Sequence, residues 1–188
     1  MGTGPARRLA RRPRGAVAGG VALCLALAAC GRDDAPATPP VTGLEGAAAP
    51  AFAADAEWVQ GPKVAPEGSA GKVVVVEFGF ASCKWCAAAQ PKLALLEKAH
   101  AGDGLVVVWV NDGRYAERPE VDQIVKERRL TFPVVHDATG ATAKAFRVPD
   151  KYPWAVVVDR RGRVAFQGAA LRPENEKRLE TAILAALK

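Results

Sequence analysis

Cysteine is scarce in this chain of 188 residues: there are four, too few for a disulfide-dense scaffold. Histidine is scarcer still. His100 and His136 stand alone, and their spacing relative to the cysteines fits no zinc pattern. A single C-x-x-C occurs with no second pair to complete a four-ligand structural zinc site. No apolar run reaches the roughly 20 residues that a membrane-spanning helix needs. The first 14 residues contain no acid, and no internal repeat is present. The length supports one domain with a tail rather than two full-sized domains.

What is present is unevenly placed. The formal charge is +6, but residues 1–29 hold five arginines and no acids, and so account for +5 of it. The remainder is nearly neutral, which removes the reason to expect a nucleic-acid partner. Arg7 to Arg14 form a basic start, Gly15–Ala29 is an uncharged run of small and apolar residues, and Cys30 follows. This is the pattern of a secretory signal peptide. Leu27-Ala28-Ala29-Cys30 resembles the lipobox of bacterial lipoproteins, which implies cleavage before Cys30 and lipidation of its thiol. Several acyl chains anchor a protein stably without spanning the bilayer. Of the 26 residues from 31 to 56, 16 are Ala, Pro or Gly. The expected organisation is a signal peptide over 1–29, a lipid-anchored tether over 30–57 and a folded domain over 58–188. The protein is then extracytoplasmic and membrane-attached, facing the periplasm in a Gram-negative source.

The domain reads as alternating strands and helices. Residues 58–64 suit a short edge strand. Lys72–Phe78, with four successive valines, suits a strand buried on both faces, and Leu105–Val110 a second. Helices are expected over Cys83–His100, Pro119–Arg128 and Ala141–Phe146, and from Pro173 onward. Pro133–His136 is a short strand. Trp154–Asp159 and Arg163–Phe166 form a hairpin around Asp159–Gly162. The fold class is α/β, a central sheet flanked by helices.

Cys83-Lys84-Trp85-Cys86 falls where a buried strand gives way to a helix, the context in which C-x-x-C reads as a redox pair. A helical first turn brings the two sulfurs within bonding range. Unpaired N–H groups and the helix dipole favour a thiolate at Cys83, and Lys84 adds positive charge. The alternatives for such a pair are half a metal site or an inert disulfide.

Residues 71–93, GKVVVVEFGFASCKWCAAAQPKL, resemble the TlpA/ResA-like thiol–disulfide oxidoreductases of the thioredoxin fold. Pro91 matches the proline of that family's active-site helix. Phe132-Pro133-Val134 with Asp137 resembles the segment after its inserted helix. Pro153–Asp159 with Gly162 resembles its cis-proline, strand and turn. Ser82 and the Lys-Trp dipeptide depart from the family's usual residues. The resemblance spans roughly residues 60–188. It implies a thioredoxin-like sandwich with a mixed sheet and a helix/strand segment inserted before the cis-proline.

The resemblance also implies roles. Cys83 attacks a substrate disulfide and Cys86 resolves the mixed disulfide. Glu77, six residues before Cys83, matches the family's buried acid and exchanges a proton with Cys86. An isolated buried carboxylate is costly, so it is either functional or reaches solvent at the strand end. Pro153 is the expected cis residue, with Pro149 as fallback, and the backbone of Tyr152 pairs with the incoming peptide. Lys84, Trp85, Tyr152 and Trp154 are candidate substrate contacts, although Trp154 also suits core packing. His100 and His136 receive no role.

No metal or separate cofactor is expected, since the disulfide itself carries the electrons. The partners implied are disulfide-bearing exported proteins, including apocytochrome c, and a membrane electron donor of the DsbD/CcdA type. The protein is expected to be a monomer. Two other readings use the same fold. A Sco-like copper chaperone needs a histidine ligand, for which only His136 is available. A peroxiredoxin-like peroxidase needs Thr where Phe80 stands.

Overall fold

The computed structural model describes residues 43–68, 71–170 and 173–188. The segment expected to be a signal peptide, Cys30 and residues 31–42 lie outside the described residues. Six strands form one sheet in the order β1-β4-β3-β2-β5-β6. The strands are β1 (Glu57–Gln60), β2 (Val73–Gly79), β3 (Leu105–Asp112), β4 (Val134–Asp137), β5 (Trp154–Val158) and β6 (Val164–Ala169). The helices are α1 (Lys84–His100), α2 (Arg118–Glu127), α3 (Ala141–Ala145) and α4 (Pro173–Leu187). β2, β3 and β4 are parallel neighbours, joined by α1 and α2. β5 and β6 run antiparallel to complete one side, and β1 closes the other. The thioredoxin-like mixed sheet expected from sequence is therefore present, with α2 and β4 as its inserted unit.

The valines explain the layering. Side chains alternate across a strand, so a strand buried on both faces must be apolar throughout. Val73 and Val75 point to a core shared with α1, α2 and α4, through Leu93, Val121, Leu179 and Ile183. Val74, Val76 and Phe78 point to the opposite core, shared with Ala143 of α3 and with Phe146. Glu77 breaks this series on the α1 side, yet it too is fully buried.

The tether expected over 30–57 ends earlier than composition indicated. Residues 43–56 pack on the domain. Leu44 and Ala49 are buried in the second core. The Phe52 ring centroid lies 5.7 Å from that of Trp58 and 6.1 Å from that of Phe146. The Gly46 N–H donates to the Val164 carbonyl at 2.8 Å, and the Val164 N–H donates to the Ala47 carbonyl at 2.9 Å. Few apolar residues suffice here because the backbone itself pairs along β6. Each well-buried Leu- or Phe-sized side chain contributes about 1.5–3 kcal/mol.

Two helix ends position the site. Cys83 caps α1, its sulfur accepting the Cys86 N–H at 3.1 Å. The end of α2 is a Schellman turn, which satisfies its last carbonyls. The Leu130 N–H reaches the Val125 carbonyl at 3.1 Å, and Arg129 occupies the left-handed position with φ 51°. That turn directs Arg128 back beneath the start of α1.

Candidate active site around the Cys83–Cys86 pair

Cys83 and Cys86 are joined in a disulfide, with Cα atoms 5.3 Å apart. Cys86 is fully buried and Cys83 retains 5% exposure. The loop before them is fixed by the Cys83 N–H, which donates to the Phe80 carbonyl at 3.0 Å. Gly79 ends β2 directly under the pair. A Cβ there would sit 2.7 Å from the Cys86 sulfur, so any larger residue collides with it. Lys84 is exposed, and Trp85 projects with 70% exposure.

Glu77 lies behind Cys86 on the same sheet face as α1. Burial pushes its carboxyl up to about 8, with the Arg128 guanidinium opposing the shift and Gln90 opposing it less. Neither carboxylate oxygen makes a hydrogen bond of ordinary geometry. Arg128 donates to the Gln90 Oε1 at 3.0 Å and to the Ala81 carbonyl at 2.6 Å, so it ties α2 to both α1 and the active-site loop. The alternative that Glu77 reaches solvent at the strand end is thereby removed. A cavity of about 390 Å³ opens beside Gln90, Pro91 and Arg128.

The Tyr152–Pro153 peptide is cis, and Pro149 is not needed as a fallback. Tyr152 is anchored by a network that the sequence did not announce. Its hydroxyl donates to the Asp112 Oδ2 at 2.6 Å. Arg114 donates to the same carboxylate through Nε, at 3.0 and 3.2 Å, and through Nη2, at 2.7 Å. Burial alone would raise the Asp112 carboxyl, but the hydrogen bonds from Arg114 and Tyr152 and the Arg114 charge outweigh it and hold it below the usual range. Burial and the Asp112 carboxylate push the Tyr152 phenol up. The rings of Phe80, Tyr115 and Tyr152 form a mutual trio with centroids 5.2 to 5.7 Å apart. Phe80 and Tyr152 thus bring the active-site loop and the cis-proline loop side by side.

Trp154 is placed differently from the other candidates. It pairs with Phe78 across β2 and β5 and is half-buried against the second core, on the sheet face opposite α1. That is the packing alternative noted for it, not a rim over the disulfide. His136 is buried, its Nδ1 3.0 Å from the Asn111 Nδ2. His100 pairs with Asp103 at the end of α1. Among the described residues, no three His, Cys, Asp or Glu side chains cluster so as to hold a metal ion.

The Redoxin family profile matches residues 44–183, most of the chain. The chain belongs to the Redoxin family. Its boundary at residue 44 coincides with the start of the packed segment. Among solved structures, one from Chlorobium tepidum described as a thiol:disulfide interchange protein DsbE is 26% identical. It aligns over 78% of this chain and 98% of that one, with a TM-score of 0.64. A thioredoxin from Neisseria meningitidis is 27% identical over 71% of this chain and 88% of its own, with a TM-score of 0.58. A curated relative, NHL repeat-containing protein 2 of Gallus gallus, is 29% identical over 62% of this chain. The match spans only 17% of that relative's length. This Redoxin is a thiol–disulfide oxidoreductase with its C-x-x-C pair at Cys83 and Cys86.

Proposed function

We propose that the protein is exported, anchored by a lipid at Cys30 and held near a membrane, where it reduces disulfides of exported proteins, apocytochrome c among them. The basic, apolar and lipobox-like N-terminus supports export and anchoring. A membrane electron donor of the DsbD/CcdA type recharges the protein, which acts as a monomer without a metal or separate cofactor.

The observation that carries the chemistry is the helix-capped disulfide with a buried acid behind its inner sulfur. Cys83 is the only one of the two cysteines with any exposure, so its thiolate attacks the substrate disulfide. Lys84 and the α1 N-terminus favour that thiolate. Cys86 then gives its proton to Glu77 and attacks Cys83. The Cys83–Cys86 bond forms, the Cys83–substrate bond breaks, and the substrate sulfur leaves with the electron pair and is protonated from water. With a carboxyl near 8, Glu77 is mostly protonated at neutral pH in the oxidised protein. It therefore serves as the acid in the reverse sense, protonating Cys86 as the electron donor opens the disulfide. Tyr152, held by Asp112, presents its backbone beside Pro153 to the substrate strand, and Trp85 supplies an exposed aromatic contact. Trp154 supports this loop from below.

Two measurements test the reading together. A Cys86→Ser variant should accumulate mixed disulfides with exported proteins. The Cys83–Cys86 potential should lie near the thioredoxin value of about −270 mV. A potential near −120 mV would make the protein an oxidant and overturn the proposed direction.

A further inference from the structure

Four buried groups meet beneath the inner sulfur. Cys86 and Gln90 stand four residues apart on α1 and so share a helix face. Glu77 and Gly79 stand two apart on β2 and so share a strand face. Trp109 on β3 is the register partner of Glu77 in the parallel pairing. Trp109 is fully buried in the core that α1 covers. Its indole Nε1 has no hydrogen-bond acceptor among the described residues. A Cβ on residue 79 would lie 3.0 Å from Trp109 Nε1 and 2.7 Å from Cys86 Sγ, so the two atoms flank a single point. The absence of a side chain at Gly79 is what lets both atoms border the same space.

A buried N–H without a partner is expensive, and natural proteins keep few of them. In the oxidised protein the Cys86 sulfur is a poor acceptor because it is neutral and bonded. A thiolate at the same position is a charged acceptor, to which hydrogen bonds are much stronger. We infer that Trp109 is the hydrogen-bond donor that stabilises the Cys86 thiolate, a role resting on the dithiol exchange proposed above. Cys86 passes through a thiolate in both directions. On resolution it forms when Glu77 takes the proton, before the Cys83–Cys86 bond closes. On recharging it forms when the donor's thiolate attacks Cys83, the Cys83–Cys86 bond breaks and the electron pair stays on Cys86, to be protonated by Glu77. Trp109 gives up no proton in either step. Glu77 from β2, Gln90 from α1 and Arg128 from the end of α2 are the polar and charged groups around it. Of these, Arg128 is engaged with Ala81 and Gln90.

The test compares Trp109→Phe, which keeps a ring and removes the N–H, with Trp109→His, which keeps a ring N–H. Trp109→Phe should slow resolution of a preformed Cys83 mixed disulfide about tenfold or more, as expected for one lost charge-assisted hydrogen bond. It should raise the Cys86 thiol by about one pH unit in thiol-alkylation profiles, the same tenfold effect. The alkylation rate of Cys83 should stay as in the parent protein, and Trp109→His should restore part of the resolution rate. A measurement on the unmutated protein covers the case in which the variants fold poorly. The Trp109 indole N–H resonance should move downfield when the reduced protein is titrated through the Cys86 ionisation. Normal exchange in the parent with an unchanged resolution rate in Trp109→Phe, or an unmoved resonance, overturns the role of Trp109 alone. Failure of the parent protein to exchange thiols overturns the dithiol reading beneath it.

Discussion

Glu77 and Asp112, two of the three carboxylates in this sheet with no exposure at all, behave in opposite ways. Asp112 is surrounded by donors: Arg114 grips it through two nitrogens and Tyr152 through its hydroxyl. Glu77 has neither oxygen in a hydrogen bond of ordinary geometry, and only the charge of Arg128 and a weaker interaction with Gln90 oppose the effect of its burial. Glu77 lies deeper in the fold than Asp112, and the two also differ in their partners. A carboxylate that is fully donated to keeps its charge and holds a loop still. One left without donors keeps its proton instead and is free to exchange it. The protein places the fixed carboxylate on the Tyr152 side of the disulfide and the exchanging one behind Cys86.

The contrast makes opposite predictions for stability against pH. Glu77 has a folded-state value of about 8 against an ordinary 4.5. The folded protein then holds a proton that the unfolded chain has released, so stability falls as pH rises from about 4.5 to about 8. Glu77→Gln should remove that decline, leaving the variant more stable by on the order of 3 kcal/mol at pH 7. Chemical denaturation across pH 4–9 reads this directly, and an unchanged alkaline limb would mean Glu77 ionises freely. Asp112 is lowered from an ordinary 3.8, so its contribution is present above that pH and lost as pH falls through the lowered value. Asp112→Asn should cost about 1.5–3 kcal/mol at neutral pH and flatten the acid limb. It should also raise KM for peptide disulfides, because Tyr152 loses its anchor, while Cys83 alkylation holds its rate. The smallest effect belongs to the aromatic trio. Tyr115, 44% exposed, contributes ring contacts to Phe80 and Tyr152. Tyr115→Leu should lower the thermal unfolding midpoint slightly, and no shift would mean the rings touch without coupling.

The sequence revealed one of these carboxylates and hid the other. Glu77 stands out because it interrupts a run of valines, although the period left open whether its side chain is buried or reaches solvent at the strand end. Asp112 lies in Asn111-Asp112-Gly113-Arg114, which reads as ordinary turn chemistry at the end of a strand. Its partner Tyr152 is 40 residues away, and only the pairing of β2 with both β3 and β5 brings the two together. Trp109 was hidden for a similar reason, since an aromatic in a valine strand reads as core. Strand and helix positions and the cysteine pair were legible because they depend on local period and spacing. The start of the domain was not. Ala, Pro and Gly dominate residues 43–56, and their packing rests on backbone pairing that composition does not record.

That backbone pairing has a consequence for how the domain can be cut. β6 is an outer strand, and residues 46–49 pair with its beginning through hydrogen bonds at Val164 and Gly162. An open strand edge is a template for another chain, so the protein supplies its own plug. A fragment beginning at residue 58 would retain every catalytic group and yet expose that row of donors and acceptors. Such a fragment would be prone to stack edge to edge.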